Sequence, residues 1–165
     1  MKYSLIIPVF NRPDEVRELL ESMTRQTLRD FEVIVVEDGS ETPCKDVCDK
    51  YAGLLDLRYF YKENSGPGQS RNYGVERARG EWVVILDSDV VLPEGYLQSV
   101  ERSMEQGGET VAWGGPDAAH PSFTPIQKAI SYSMTSFFTT GGIRGGKKSQ
   151  GHATAFKLRK MDKFY

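Results

Sequence analysis

Short apolar runs alternate along this chain with longer stretches in which apolar residues recur every three or four positions. The runs read as strands buried on both faces, and the longer stretches as helices laid against them. Residues 4–10 form the first predicted strand. Pro13 opens a helix whose stripe is Val16, Leu19, Leu20 and Met23; proline suits a first helical position because its missing N–H would have no partner there. Residues 31–36 are a second strand, 42–52 a polar helix and 57–61 a short third strand. Residues 67–79 read as a helix with a glycine-rich start, and 81–86 as a fourth strand. Residues 93–106 form a helix with Tyr96, Leu97, Val100 and Met104 inward, and 109–113 a fifth strand. This alternation predicts an α/β fold: a mostly parallel central sheet in an α/β/α sandwich.

Past residue 115 the pattern loosens. Residues 116–125 carry three prolines and read as a loop. Ile126, Ala129, Ile130, Met134, Phe137 and Phe138 fall at helical spacing within 124–138. The stretch 141–151 holds five glycines and three cations, Arg144, Lys147 and Lys148, a composition for a mobile loop. Residues 152–158 suit one more strand.

A chain of 165 residues with 39% hydrophobic and 27% charged residues is expected to make a single domain, 1–165. No apolar run approaches the roughly 20 residues that cross a bilayer. Charge changes the picture more. Residues 1–110 hold 13 Lys and Arg against 21 Asp and Glu, whereas 111–165 hold 8 against 2, Asp117 and Asp162. A basic C-terminal third suits phosphates or an anionic membrane surface. Cys44 and Cys48 share a helical face without a nearby histidine, and read as reduced thiols. The first residues lead straight into a strand, without the order of a signal peptide. A cytoplasmic location is therefore expected, at the inner face of the membrane where the basic third meets lipid.

In a parallel sheet the carboxyl ends of the strands lie on one edge, where open α/β sheets bind ligands. Three polar strand ends converge there: Pro8-Val9-Phe10-Asn11-Arg12, Glu37-Asp38-Gly39-Ser40 and Asp87-Ser88-Asp89. Asp87 and Asp89 are hard oxygen ligands that suit Mg²⁺ or Mn²⁺, and through the ion a diphosphate. A second reading makes Ser88 or Asp89 the cap of the helix that follows. Asp38 offers an acceptor to a base or a ribose, or caps the next helix. Phe10 stacks on a base or joins the core. Arg71, in the glycine-rich helix start Asn64-Ser65-Gly66-Pro67-Gly68-Gln69-Ser70-Arg71-Asn72, reaches a phosphate or packs at the surface. That stretch is neither a Walker A loop nor a GxGxxG fingerprint.

The segments IIPVFNR (6–12), VVEDGS (35–40) and ENSGPGQSRNYGVERARGEWVVILDSDV (63–90), with the spacing between them, resemble the family 2 glycosyltransferases, which have the GT-A fold. The likeness covers residues 3–115 closely. It implies inverting, metal-dependent transfer of a sugar from a nucleoside-diphosphate donor, with UDP expected as the nucleotide, to a glycan, lipid-linked or other hydroxyl acceptor. Residues 1–115 would be the nucleotide-sugar-binding half and 116–165 part of the acceptor side. Pro8, Phe10, Asn11, Asp38, Arg71, Asp87 and Ser88 match the nucleotide-sugar site, and Asp87 with Asp89 the acids of the DxD motif that hold Mn²⁺ or Mg²⁺. Glu37 stands where the family often has Asp, and Val90 where a further acid is common. The segment GHATAFKLRKMDKFY resembles the family's strand and basic turn ahead of its acidic acceptor-side motif. The catalytic base is therefore expected beyond Tyr165, with Asp117 as a weak candidate within the chain, and slow transfer is expected without that motif. His152 is a minor candidate for a metal or substrate contact.

Three rival readings remain at this level. One is a non-catalytic nucleotide-sugar-binding module. Another is a nucleotidyltransferase, which would ordinarily carry a glycine-rich basic loop where Asn11-Arg12-Pro13 stands. The third is a phosphohydrolase with Asp87 as nucleophile. No nucleic-acid partner is expected, a peripheral membrane contact is, and oligomeric state cannot be read.

Overall fold

The computed structural model describes residues 1–106, 112–114, 125–126 and 154–157. Residues 1–113 and 153–165 form one compact unit and 114–152 a second. In chain order the elements are Tyr3–Val9 (β1), Pro13–Thr24 (α1), Phe31–Asp38 (β2), Lys45–Tyr51 (α2), Leu57–Lys62 (β3), Pro67–Val75 (α3), Trp82–Ile85 (β4), Tyr96–Gln106 (α4), Ala112–Gly114 (β5) and Thr154–Lys157 (β6). The strands form one sheet in the order β3-β2-β1-β4-β6-β5. β3, β2, β1 and β4 are parallel, and β6 runs antiparallel to β4.

This order explains where the helices lie. From β1 to β3 the chain steps outward on one side, and the apolar stripes of α1 and α2 pack on one face with Leu5, Ile7, Val33 and Val35. It then returns past β2 and β1 to form β4. A right-handed crossover in that reversed direction must run on the opposite face. α3 does so, over Ile6, Ile34, Val36 and Val83. Its seat is close: a Cβ at Gly74 would lie 2.4 Å from Ile6 Cγ2, so only glycine allows α3 this near the sheet. α4 comes back to the first face, where Tyr96, Leu97, Val100 and Met104 are buried as the stripe predicted.

Element ends differ from the predicted ones for local reasons. β2 runs on to Asp38 because β3 pairs with it as far as Asp38↔Lys62. α3 stops at Val75, where Arg77 and Ala78 donate to Gly74 and Val75 three residues back, tightening the last turn. α4 starts at Tyr96 because buried polar groups of α1 and its end claim the segment before it. Ser22 Oγ accepts from the Leu92 amide at 3.0 Å, Gln26 Nε2 donates to Pro93 O at 2.7 Å, and Gln26 Oε1 accepts from the Leu97 amide at 3.2 Å. Of the 124–138 stripe only Pro125 and Ile126 are described; both are helical, and Ile126 is 73% exposed rather than buried.

At the amino-terminal edge a buried ion cluster locks the strands together. Glu32 has no exposed surface. It accepts from Ser4 Oγ (2.6 Å), Arg58 Nη2 (2.5 Å), the Arg79 amide (2.6 Å) and Arg79 Nε (2.9 Å). Ser4 Oγ in turn accepts from the Gly80 amide at 2.8 Å. Burial alone would raise the carboxyl's pKa, but the donors from Ser4, Arg79 and Arg58 outweigh it and hold the pKa below the ordinary glutamate value. Because the folded value is depressed, the stabilisation is complete above the unfolded pKa of about 4.3 and disappears as pH falls through the lower folded value. Glu32→Ala should cost about 3 kcal/mol in urea unfolding at pH 7, since two arginines lose their buried partner. The difference from the parent protein should shrink below about pH 4.

Candidate functional site at the carboxyl edge of the sheet

The reversal in strand order puts a crevice between the carboxyl ends of β1 and β4, the topological switch point where ligands enter such sheets. The register Ile6↔Ile85 carries Asp87 to the level of Pro8. All three predicted strand ends therefore meet at one edge. Phe10 is 50% exposed there, which removes the core reading of its ring. Pro8 is half-buried beside it.

Asp38 and Glu37, adjacent on β2, point to opposite faces of the sheet. Asp38 faces α3. Its Oδ1 accepts from the Ser65 amide at 2.9 Å and from Lys62 Nζ, and its Oδ2 from the Gly66 amide at 2.9 Å. It thus supports the start of α3, and not the following helix α2, as the capping alternative had it. Burial pushes its carboxyl up, but Lys62 and the Ser65 amide more than offset this and keep it below the ordinary aspartate range. Gly39, at φ 72°, turns the chain directly after it, and a Cβ there would lie 2.6 Å from the Asn64 amide nitrogen.

Glu37 faces α2 and is fully buried. It accepts from Ser40 Oγ, from the Cys44 amide at 2.7 Å and from Tyr59 Oη at 3.2 Å. Ser40 Oγ accepts from the Asn11 amide at 2.7 Å. Asn11, at φ 55°, spends its side-chain oxygen on the Glu41 (2.8 Å) and Thr42 (3.1 Å) amides. The structure therefore gives Asn11 a loop-bracing role at the edge of the site. Cys44 and Cys48 lie beneath, both buried, with sulfurs 3.9 Å apart.

Across the crevice, Arg71 Nη2 donates to Asp87 Oδ1 at 3.2 Å, and Arg12 Nη1 stands 3.9 Å from Asp89 Oδ2. Asp87 and Asp89 keep 67% and 58% of their side chains exposed, while Ser88 between them is buried. α4 begins well past Asp89, so neither Ser88 nor Asp89 sits at its N-cap. Arg71 Nε is shielded from water without a partner, a donor held ready at the crevice. Among the described residues no cluster of three or more acids, histidines or cysteines forms a metal cage. Two open carboxylates do suit Mg²⁺ or Mn²⁺, ions that keep water and phosphate oxygens in the rest of their shell.

Lys62, Arg12, Ser65 and Glu37 were not among the predicted site residues. Lys62 is a lone cation on a short strand, and only the pairing of β3 with β2 reveals that it meets Asp38. Asp117, Arg144, Lys147, Lys148, His152 and the Phe137-Phe138 pair lie outside the described residues.

Comparison with known proteins fits this geometry. The profile of Glycosyl transferase family 2 matches residues 4–164. The chain belongs to glycosyl transferase family 2. A glycosyltransferase of Rickettsia felis is 31% identical over 144 residues, 86% of this chain and 23% of that protein. The structure of Staphylococcus aureus TarS 1–349 in complex with UDP-GlcNAc superposes with a TM-score of 0.67 at 29% identity, over 76% of this chain and 37% of that one. The mannosyltransferase PcManGT of Pyrobaculum calidifontis, in complex with GDP-Man and Mn²⁺, gives 0.70 over 99% of this chain and 47% of that one, at 21% identity, a likeness of fold. This family 2 chain has the GT-A fold, and it spans 15% to 38% of the length of the curated relatives it matches.

Gly39 is the position where this edge tolerates least. Gly39→Ala adds a left-handed penalty of about 1–2 kcal/mol to a backbone clash. The urea midpoint should fall by an amount equivalent to about 2–3 kcal/mol, against a change within about 0.5 kcal/mol for Gly53→Ala, where a Cβ meets nothing.

Proposed function

We propose that this chain forms the donor-binding part of an inverting, metal-dependent glycosyltransferase. It takes a sugar from a nucleoside diphosphate, with UDP favoured, and passes it to a hydroxyl of a glycan or lipid-linked acceptor. One observation carries the reading: two solvent-open acids, Asp87 and Asp89, stand at the switch point beside Arg71, with Asp38 on the neighbouring strand end. The TarS complex supports a UDP-sugar donor through its shared fold and 29% identity.

In this reading Phe10 and Pro8 flank the nucleoside and Asp38 accepts from the base. Asp87 and Asp89 would hold the divalent ion, which would supply Lewis-acid stabilisation to the departing diphosphate. Arg71 supplies a fixed donor for the same oxygens. Ser88, buried between the acids, fixes the turn that aims them. In-line attack by the acceptor oxygen on the anomeric carbon breaks the bond to the diphosphate and inverts that centre. The general base that takes the acceptor proton is proposed to lie outside the described residues. The working site is proposed to face the cytoplasm, at the inner leaflet where the acceptor is lipid-linked.

The test is calorimetric titration with UDP in Mn²⁺ and in EDTA. Binding should weaken at least about tenfold in EDTA and in Asp89→Ala, the loss expected for a charge-assisted contact. Arg71→Ala should weaken it similarly with metal present. Equal affinity in all four conditions would overturn the reading.

A further inference from the structure

The feature that the proposed function leaves unused is Lys62. Its side chain is only 15% exposed and Asp38's 6%, so the ion pair is sheltered from solvent at the carboxyl ends of β2 and β3. The ammonium has three N–H donors. One goes to Asp38 Oδ1 and one to the Glu63 carbonyl at 2.8 Å, which leaves a third. On Asp38, Oδ1 is engaged twice, by Lys62 and the Ser65 amide. Oδ2 takes the Gly66 amide. The nearby Ser70 hydroxyl has one proton for two acceptors, the Gly66 carbonyl at 3.1 Å and the Asp38 carboxylate; turned to the carbonyl, it leaves Asp38 an acceptor site for a ring N–H. The paired ends of β2 and β3 therefore present an acceptor and a donor side by side.

Resting on the donor-site reading above, we propose that Lys62 is a specificity-determining residue. With Asp38 it reads the order of hydrogen-bonding groups on the base and selects uracil- or guanine-type rings over cytosine- and adenine-type rings. Uracil shows an N–H beside a carbonyl at N3 and O4, and guanine the same at N1 and O6. Cytosine and adenine show the reverse order at those positions: a ring nitrogen acceptor beside an amino donor. With ribose and diphosphate fixing the ring's direction, the reversed order sets an acceptor against the carboxylate and a donor against the ammonium. Groups this sheltered cannot turn to water for compensation, so the mismatch is costly. Lys62 also keeps Asp38 ionised, so the carboxyl stays an acceptor throughout the neutral range.

The experiment is a calorimetric comparison of UDP, GDP, CDP and ADP, each with Mn²⁺, on the full chain and on Lys62→Met and Lys62→Arg. The full chain should bind UDP or GDP about tenfold to a hundredfold more tightly than CDP and ADP. Lys62→Met should bring that ratio close to one, mainly by weakening the favoured nucleotide, and Lys62→Arg should keep most of it. Should Lys62→Met fail to fold by circular dichroism, Lys62→Gln reads the same ratio. A favoured nucleotide whose advantage survives in Lys62→Met overturns the role of Lys62 and leaves the donor site standing. Equal binding of all four by the full chain overturns the base-order idea alone. Binding of none overturns both.

Discussion

The parallel pairing of β1 between β2 and β4 is the constraint on which the rest of the structure depends. Parallel neighbours need crossovers, and a strand flanked on both sides needs them to leave in opposite directions, hence on opposite faces. That is why α1 and α2 lie on one side and α3 on the other, and why β1 is apolar along nearly its whole length. It also sends three strand ends to one edge in register. Polar residues unwelcome inside the sheet collect there, so the site follows from the topology rather than from any single motif.

β2 shows how that edge is built from two adjacent carboxylates. The pleat turns Glu37 and Asp38 to opposite faces, and each organises what lies on its own side. Glu37 fixes the loop into α2 and, through Ser40, the turn at Asn11. Asp38 fixes the approach to α3. Buried carboxylates are tolerable because donors surround both, and only Asp38 carries a lysine beside it. The neighbouring acids at the β4 end are treated differently: they stay open to solvent, each with an arginine near it.

The sequence made the strand-helix order, the helix stripes and the convergence of the three polar strand ends legible, because each depends on local period or on parallel topology alone. Val16, Leu19, Leu20 and Met23 are buried as their spacing implied. What was not legible depends on pairing across distance. Nothing local says that Lys62 meets Asp38, that Glu32 gathers Arg58 and Arg79 at the far edge, or that Asn11 turns its oxygen to the next loop. Asp38 was read as an acceptor for a base or ribose or as a cap for α2, and the fold replaces only the cap, setting the carboxylate at the start of α3. The match to the family profile adds what short motifs could only imply, that residues 4–164 share one ancestry.

The arginines also bear on why a cation would be needed at all. A diphosphate entering beside Asp87 and Asp89 alone would meet like charge. Arg71 and Arg12 stand beside the two acids and reduce that repulsion without reversing it. They do not fill the acids, whose exposed oxygens remain available to a hard ion. A dication held by those oxygens would turn what repulsion is left into attraction, and Arg71 would then be available to the phosphates. Such an edge would hold a nucleoside diphosphate strongly only when metal and nucleotide arrive together.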